Sequence, residues 1–368
     1  MNNKKLRIAE VTNLAESIPP KHKAGLEQMV YYLTEELVKC GHDVTLFATA
    51  DSKTSANLYP LWPIGLSNDK DFPIRSPETF SVWAISETFL HADEFDIIHD
   101  HTYYTAGHFC QLIQTPVVST IHHDIARDIY SRNEIFKEPY RKYHQLFKMH
   151  SNKLNRVVVS NFQRHELEKH LRQPATTIHN GIPLDIWSQY KETPGDYFAF
   201  LGYISGNKGV AEAIQAILKT DEKLIIAGPI DIHDERSREY FEKQIEPYID
   251  GNQIEYIGPI GMDKKIEFLM NAKATLMPIQ WDEPFGLVAI ESLATGTPVI
   301  AWNRAAMPEI IEDSVSGFLV NSVEEMTNRI QDIEQINRRN CRQRVENNFS
   351  AKKMASEYES LFYKILNQ

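Results

Sequence analysis

Several signatures are missing from this chain, and each absence excludes a class. Sixteen glycines occur in 368 residues, and none has another two positions away. The Gly-x-Gly-x-x-Gly turn of a nicotinamide-dependent dehydrogenase is therefore excluded. The Gly-x4-Gly-Lys-Ser/Thr loop of a P-loop NTPase is absent as well. Cysteine is scarce: Cys40, Cys110 and Cys341 lie far apart, form no ligand or redox motif, and read as reduced thiols. Basic residues are in deficit, 39 against 50 acidic ones, for a net charge of −11. That balance argues against nucleic acid as the main partner, because phosphate binding wants a basic domain. No apolar run has the length of a signal peptide core or a membrane span, and Met1–Arg7 leads straight into a strand. The expected location is the cytoplasm. No internal repeat or low-complexity tract is present.

What the chain does contain is alternating strand and helix, written twice. Leu6–Val11 reads as a first strand, followed by a helix to Cys40 with Leu26, Met29, Val30, Leu33 and Leu37 on one face, capped by Gly41. Val44–Ala48, Ile97–Ile98, Pro116–Ile121 and Arg156–Val159 continue the first series. Phe198–Leu201, Lys223–Ile226, Ile254–Ile257, Ala274–Met277 and Pro298–Ala301 form a second. Short apolar runs between helical segments predict parallel sheets covered on both faces. A length of 368 residues exceeds what one core usually serves. Two doubly wound α/β domains are expected, with the break in the polar, proline-bracketed stretch Pro183–Pro194.

The most informative segment is Glu283-Pro-Phe-Gly-Leu-Val-Ala-Ile-Glu291, followed by Ser292-Leu-Ala-Thr-Gly-Thr-Pro-Val-Ile-Ala301. Its spacing predicts a helix starting near Pro284, ended by Gly296 and followed by a buried strand. At about 100° per residue, Leu287, Ile290, Glu291 and Ala294 share one side, so Glu291 lies inside an apolar stripe. A carboxylate there needs a partner: a structural hydrogen bond to backbone, or a ligand bearing hydroxyl groups. Free amides around Phe285, Gly286 and Leu287 would create an anion site, with Gly286 permitting close approach. An anion and a hydroxyl-rich group held within one helix describe a nucleotide sugar.

The two glutamates, with seven residues between them in this full string, resemble the signature of the retaining family 4 glycosyltransferases of the GT-B fold. The resemblance covers nearly the whole chain. Pro20–Glu27, Asn180–Pro183 and Gly202–Gly209 look like the acceptor-side opening, the domain junction and the first donor-domain loop. It implies two Rossmann-like doubly wound domains facing a cleft: residues 1–185 on the acceptor side and 186–348 binding the nucleotide sugar. The helical tail 349–368 would cross back onto the first domain. By the same resemblance, Glu291 binds the ribose hydroxyls, Glu283 lies by the donor sugar and its diphosphate, Lys208 contacts the diphosphate, and His122 lies beside the sugar. Gly25 would meet a phosphate or the sugar, Glu309 matches a common family glutamate, and Tyr203 stands at the donor-side position where the family has an arginine.

Three departures accompany these matches. One glycine of the family's pair is replaced by Ala24, ahead of Gly25; the arginine is replaced by Tyr203; and the glycine-containing loop before Glu309 reads Arg304-Ala305-Ala306. A phenol offers one hydrogen bond where a guanidinium offers fixed charge. His99 and His101, at a strand end, are candidates for lining the cleft or for satisfied core histidines. His122-His123-Asp124 lack a third ligand at zinc-like spacing. Asp69 and Asp71 have the Asp-x-Asp lettering of metal-dependent GT-A enzymes without a surrounding donor signature. The basic and aromatic stretch Arg132–Arg156 has the composition of a membrane-contacting helix, but the acidic chain favours a solvated helix.

The expectation is thus a metal-independent retaining hexosyltransferase with no cofactor besides its nucleotide-sugar co-substrate. UDP-glucose is the first candidate donor, and the acceptor is a small or lipid-linked molecule that the sequence does not identify. The competing readings are a non-catalytic nucleotide-sugar-binding protein of the same fold and a GT-B nucleotide-sugar epimerase.

Overall fold

The computed structural model describes residues 4–21, 25–69, 77–102, 105–123, 153–172, 174–231 and 234–368. The chain forms two units, Met1–Gly181 with Ala351–Gln368, and Ile182–Ser350.

In the first unit, seven strands form one parallel sheet. They are β1 (Arg7–Val11), β2 (Asp43–Thr49), β3 (Asn57–Trp62), β4 (Ile97–Asp100), β5 (Val117–Ile121), β6 (Leu154–Val158) and β7 (Thr176–Thr177), in the order β3-β2-β1-β4-β5-β6-β7. The central strands are buried almost without interruption, which explains their near-continuous apolar lettering. Helix Gly25–Lys39 buries Met29, Val30, Leu33 and Leu37 as its spacing predicts. On the other face, Val11, Phe47 and Ile98 pack with Ala84 and Ile85 of helix Pro77–Leu90. The C-terminal helix Ala351–Leu366 belongs to this unit and buries Met354, Ala355, Tyr358 and Phe362. Its Tyr358 and Phe362 rings lie 4.7 and 5.6 Å from His99.

The second unit has six parallel strands: β8 (Tyr197–Leu201), β9 (Lys223–Ala227), β10 (Ile254–Tyr256), β11 (Ala272–Met277), β12 (Val299–Trp302) and β13 (Gly317–Val320). Their order is β10-β9-β8-β11-β12-β13. This is the Rossmann order 3-2-1-4-5-6, and the first sheet has it too, with β7 added at the edge. The stretch Pro183–Pro194 lies in this unit and is anchored there by the fully buried Trp187. Two buried arginines of helix Arg338–Asn348 tie its parts together. Arg338 donates to the carbonyls of Lys191, Ala272 and Met270 at 2.7, 2.9 and 2.9 Å. Arg342 donates to the Trp187 carbonyl and, at 2.9 Å, to that of Ala294. Two of these carbonyls, Met270 and Ala294, are the last of their helices, where a cation is a favourable partner.

Strands β3, β7 and β13 were absent from the sequence reading. β3 carries Pro60 and is half exposed at an edge, and β7 has two residues. β13 opens with Gly317 at the other sheet's edge. Edge strands carry the weakest apolar pattern and tolerate proline.

Candidate functional site

Open α/β sheets bind ligands beyond the carboxyl ends of their strands, where the strand order reverses. In the second sheet that point lies between β8 and β11, and two loops leave it side by side. The first ends in the short turn Gly206–Lys208 and then Gly209, whose φ of +78° only glycine adopts readily. A Cβ on Gly209 would collide with the Pro278 carbonyl, and Gln280 N–H donates to the Asn207 carbonyl at 2.8 Å, so the loops abut. Lys208 does not open a helix; the helix begins at Val210, one residue beyond Gly209. The junction brings Lys208 Nζ within 2.6 Å of Glu283 Oε2 and 5.1 Å from the Trp281 ring centre. Both members of the pair keep some solvent contact. Such a pair contributes about 0–1 kcal/mol, so a charged ligand can replace it at small cost.

Beyond Glu283 the helix starts at Leu287 rather than Pro284. Pro284 and Phe285 are still loop, and Gly286 is the N-cap with φ +99°. Ala289 N–H makes the first helical bond, to the Gly286 carbonyl at 3.0 Å, which leaves the amides of Leu287 and Val288 at the helix entrance. Glycine suits 286 for its φ, and a Cβ there would have to displace the terminal methyl of Met307. That steric reason stands beside the close approach expected from the sequence. Phe285 is buried, its ring edge-on to Phe349 at 5.9 Å, so its side chain serves the core.

Glu291 is 6% exposed, as the apolar stripe predicts. Its Oε1 pairs with Lys265, whose Nζ also lies 5.6 Å from the Trp187 ring centre. Its Oε2 is buried and has no hydrogen-bond partner among the described residues. An unsatisfied buried acceptor costs about 1–3 kcal/mol, so half of this carboxylate waits for a donor. Lys265 was not foreseen: it carries no motif, and a lysine three residues into a helix normally reads as surface.

The loop after β12 borders Glu283. Arg304 Nε donates to Asp282 Oδ1 at 2.7 Å and Nη1 to the Gln280 carbonyl at 2.9 Å. Ala305, where the family has glycine, keeps a left-handed φ of +52°. The backbone shape survives without the glycine, at a cost of about 1–2 kcal/mol for an L-residue. Glu309 is half-buried in the following turn, and Arg344 Nη2 donates to its carbonyl at 2.8 Å. Tyr203, after β8, is 49% exposed.

In the first sheet the order reverses between β1 and β4, and a polar cluster occupies that place. Glu10 on β1 faces its register partner His99 on β4. Its Oε1 lies 3.1 Å from His99 Nδ1 and its Oε2 lies 2.8 Å from His101 Nε2. His99 Nε2 meets Thr120 Oγ1 at 2.7 Å, and Thr120 Oγ1 meets the Tyr358 hydroxyl at 2.9 Å. His101 Nδ1 reaches His122 Nε2 at 2.9 Å. Burial by itself would push the Glu10 carboxyl up, but His99 and His101 outweigh it and bring its pKa down to about 2. Burial drives His101 below the ordinary imidazole range and His122 well below it, with the neighbouring imidazoles adding to both. His122 is half-buried just beyond β5, whereas Glu10, His99 and His101 are fully enclosed.

Two family models divide the chain between them. "Glycosyltransferase Family 4" matches residues 24–186, and "Glycosyl transferases group 1" matches residues 183–351. The chain belongs to the group 1, family 4 glycosyltransferases. One relative is the phosphatidyl-myo-inositol mannosyltransferase of Mycolicibacterium smegmatis, 24% identical over 86% of this chain and 81% of that protein. Another is an uncharacterised glycosyltransferase of Methanocaldococcus jannaschii, 25% identical over 86% and 85%. Among solved structures, a sucrose-phosphate synthase from Thermosynechococcus elongatus superposes with a TM-score of 0.78 at 19% identity, over 99% of this chain and 100% of that one. An Anabaena protein solved with UDP-glucose gives 0.70 at 17% identity, over 98% and 100%. The fold is GT-B.

In this glycosyltransferase the residues singled out from sequence group by sheet. The second unit joins Lys208 to Glu283 and sets Glu291 on the helix that follows. The first unit joins His99, His101 and His122 through Glu10, which the sequence reading passed over. An acidic residue inside Ile8-Ala-Glu-Val11 was the available signal, by the same reasoning applied to Glu291. The three-ligand grouping sought near His122 and His123 lies instead at Glu10, His99 and His101, whose ligand atoms fall within 4.8 Å of one another. Gly25 is the exposed first residue of its helix, and two positions on a buried Glu27 has its pKa raised by burial. Asp69 accepts the Trp62 indole N–H at 3.1 Å. Ala24, Asp71, Asp124 and most of the Arg132–Arg156 stretch lie outside the described residues, while Arg156 itself is buried in β6. All three cysteines are free. Among the described residues, no helix is long and apolar enough to cross a membrane.

Proposed function

We propose that this glycosyltransferase moves a hexose from a nucleotide diphosphate, with UDP-glucose as donor, to a small or lipid-linked acceptor with retention of configuration and without a bridging metal. The observation that carries the reading is the buried Oε2 of Glu291, without a partner among the described residues and on the helix that follows the Lys208–Glu283 pair. Glu291 Oε2 takes a ribose hydroxyl while Lys265 holds its other oxygen. Lys208 exchanges Glu283 for the diphosphate and, with the amides of Leu287 and Val288, stabilises the charge that develops as the glycosidic bond breaks. Glu283, released from the lysine, faces the sugar, and His122 accepts one of the sugar's hydroxyls. Tyr203 adds a single hydrogen bond at the diphosphate.

A thermal-shift panel of nucleotide diphosphates and their sugars tests the donor, since a ligand that binds only the folded state raises its stability. UDP and UDP-glucose should give the largest shifts, and transfer should survive exhaustive EDTA treatment. A preference for another base, or rescue of an EDTA-inactivated sample by Mn²⁺, would contradict the proposal.

The exposed phenol of Tyr203 motivates a second reading, a non-catalytic nucleotide-sugar binder of the same fold. It predicts the same thermal shifts with no turnover.

A further inference from the structure

The first sheet decides which nitrogen of His122 is available to a ligand. A carboxylate can only accept hydrogen bonds. Glu10, ionised between His99 and His101, therefore requires a proton on His101 Nε2, 2.8 Å from its Oε2. Burial keeps the His101 ring neutral at neutral pH, so its Nδ1 is a lone pair. That lone pair lies 2.9 Å from His122 Nε2, which must donate to it. The other arm of the cluster is consistent: the Tyr358 hydroxyl donates to Thr120, Thr120 to His99 Nε2, and His99 Nδ1–H to Glu10. Each donor in the set then faces an acceptor: Glu10 accepts from both imidazoles, while Thr120, His99 and His101 each accept one bond and donate another.

We infer that Glu10, acting through His101, holds His122 in the Nε2–H tautomer and so makes its Nδ1 a fixed acceptor for a hydroxyl of the transferring sugar. Glu10 and His101 are positioning residues in this account. The identity of the hydroxyl rests on the transferase reading above; the tautomer does not.

Glu10, His99 and His101 also have the composition of a metal site. A cation there would take the lone pair of His101 Nε2, move that proton to Nδ1, and force His122 to carry its own proton on Nδ1. The hydrogen-bonded and metal-bound arrangements thus impose opposite tautomers on His122. The first is favoured because Glu10, His99 and His101 already satisfy one another, with Thr120 completing the set.

The test is long-range proton–nitrogen correlation NMR on the full chain labelled in its histidines, at about pH 7.5 and so above the ordinary imidazole range. The His122 signals are identified by their loss in His122→Gln. The expected spectrum shows an unprotonated Nδ1 and a protonated Nε2. Glu10→Gln, whose amide donates as well as accepts, should shift His122 towards the Nδ1–H form and lower kcat about 10- to 100-fold with donor KM little changed. A protonated Nδ1 on His122 of the unaltered protein would overturn the inference. So would a stoichiometric divalent ion whose removal changes the tautomer, or a folded Glu10→Gln that leaves it unchanged. Should Glu10→Gln fail to fold, the spectrum of the unaltered protein still decides. The expected tautomer without sugar transfer would remove the transferase reading and leave the role of Glu10 standing.

Discussion

The two sheets share a strand order and place acid–base pairs where it reverses, yet they treat charge in opposite ways. At β1/β4 the carboxylate of Glu10 is sealed among His99, His101 and Thr120, and both of its oxygens are used. At β8/β11 Lys208 and Glu283 remain partly wet, and on the next helix Glu291 has a buried oxygen with no partner among the described residues. One arrangement spends its polar groups on itself and sets a geometry. The other leaves valence open. A buried network is costly to break because each orphaned group loses its full solvation, while an open one is costly only when its ligand must bind. Under the proposed function, the difference separates residues that hold a site in shape from residues that meet substrate.

Removing Glu10 should have the largest effect on stability. Glu10→Ala leaves two buried imidazole donors without an acceptor, and at about 1–3 kcal/mol each the loss should be about 2–6 kcal/mol. Urea unfolding followed by a probe in the first unit would read it. Lys208→Ala in the same assay should stay within about 1 kcal/mol. Similar unfolding midpoints for both variants would break the contrast between the sheets.

Glu291→Ala sharpens the contrast from the other side. Hydrogen bonds to a charged group contribute about 1.5–3 kcal/mol, so calorimetry should show donor affinity falling roughly tenfold to a hundredfold. Some stability should go as well, because Lys265 loses its partner. A variant that melts far lower while binding donor normally would make Glu291 a counter-ion for Lys265 and nothing more.

The smallest effect is expected at Ala305. Its φ of +52° suits glycine better, so Ala305→Gly should raise stability by up to about 1 kcal/mol, seen as a melting temperature a few degrees higher. A lower melting temperature would mean the Ala305 side chain contributes packing that outweighs its backbone strain.

Much of this fold was legible because buried parallel strands write themselves as continuous apolar runs, and the central strands of both sheets did so. Edge strands such as β3, with a proline and half its residues wet, wrote no such pattern. Within the site, the burial of Glu291 followed from helical spacing, whereas its pairing with Lys265 did not, since that contact joins two helices through side chains alone. Gly286 reads from sequence as room for a ligand; its left-handed φ of +99° at the N-cap is a second demand for glycine, which helical spacing alone does not carry. The Glu10 cluster joins three strands and the C-terminal helix. Its members are ordinary letters in four distant segments, and only the sheet register Glu10↔His99 assembles them.

In the proposed function, the open charges around Lys208 have one decisive role, stabilising a departing diphosphate. Its most direct test is single-turnover consumption of UDP-glucose by the unaltered protein, Lys208→Ala and Tyr203→Arg side by side, in enzyme excess. Diphosphate charge grows as the bond breaks, so one preorganised cation contributes ~1–3 kcal/mol to the transition state, a tenfold or larger change in rate. The expected result is a slow but measurable unaltered enzyme, a Lys208→Ala variant slower by about that factor, a Tyr203→Arg variant faster by a similar one, and α-glucose as the first product released to water. Equal rates for Lys208→Ala and the unaltered protein, or no turnover from any of the three despite tight donor binding, would contradict it.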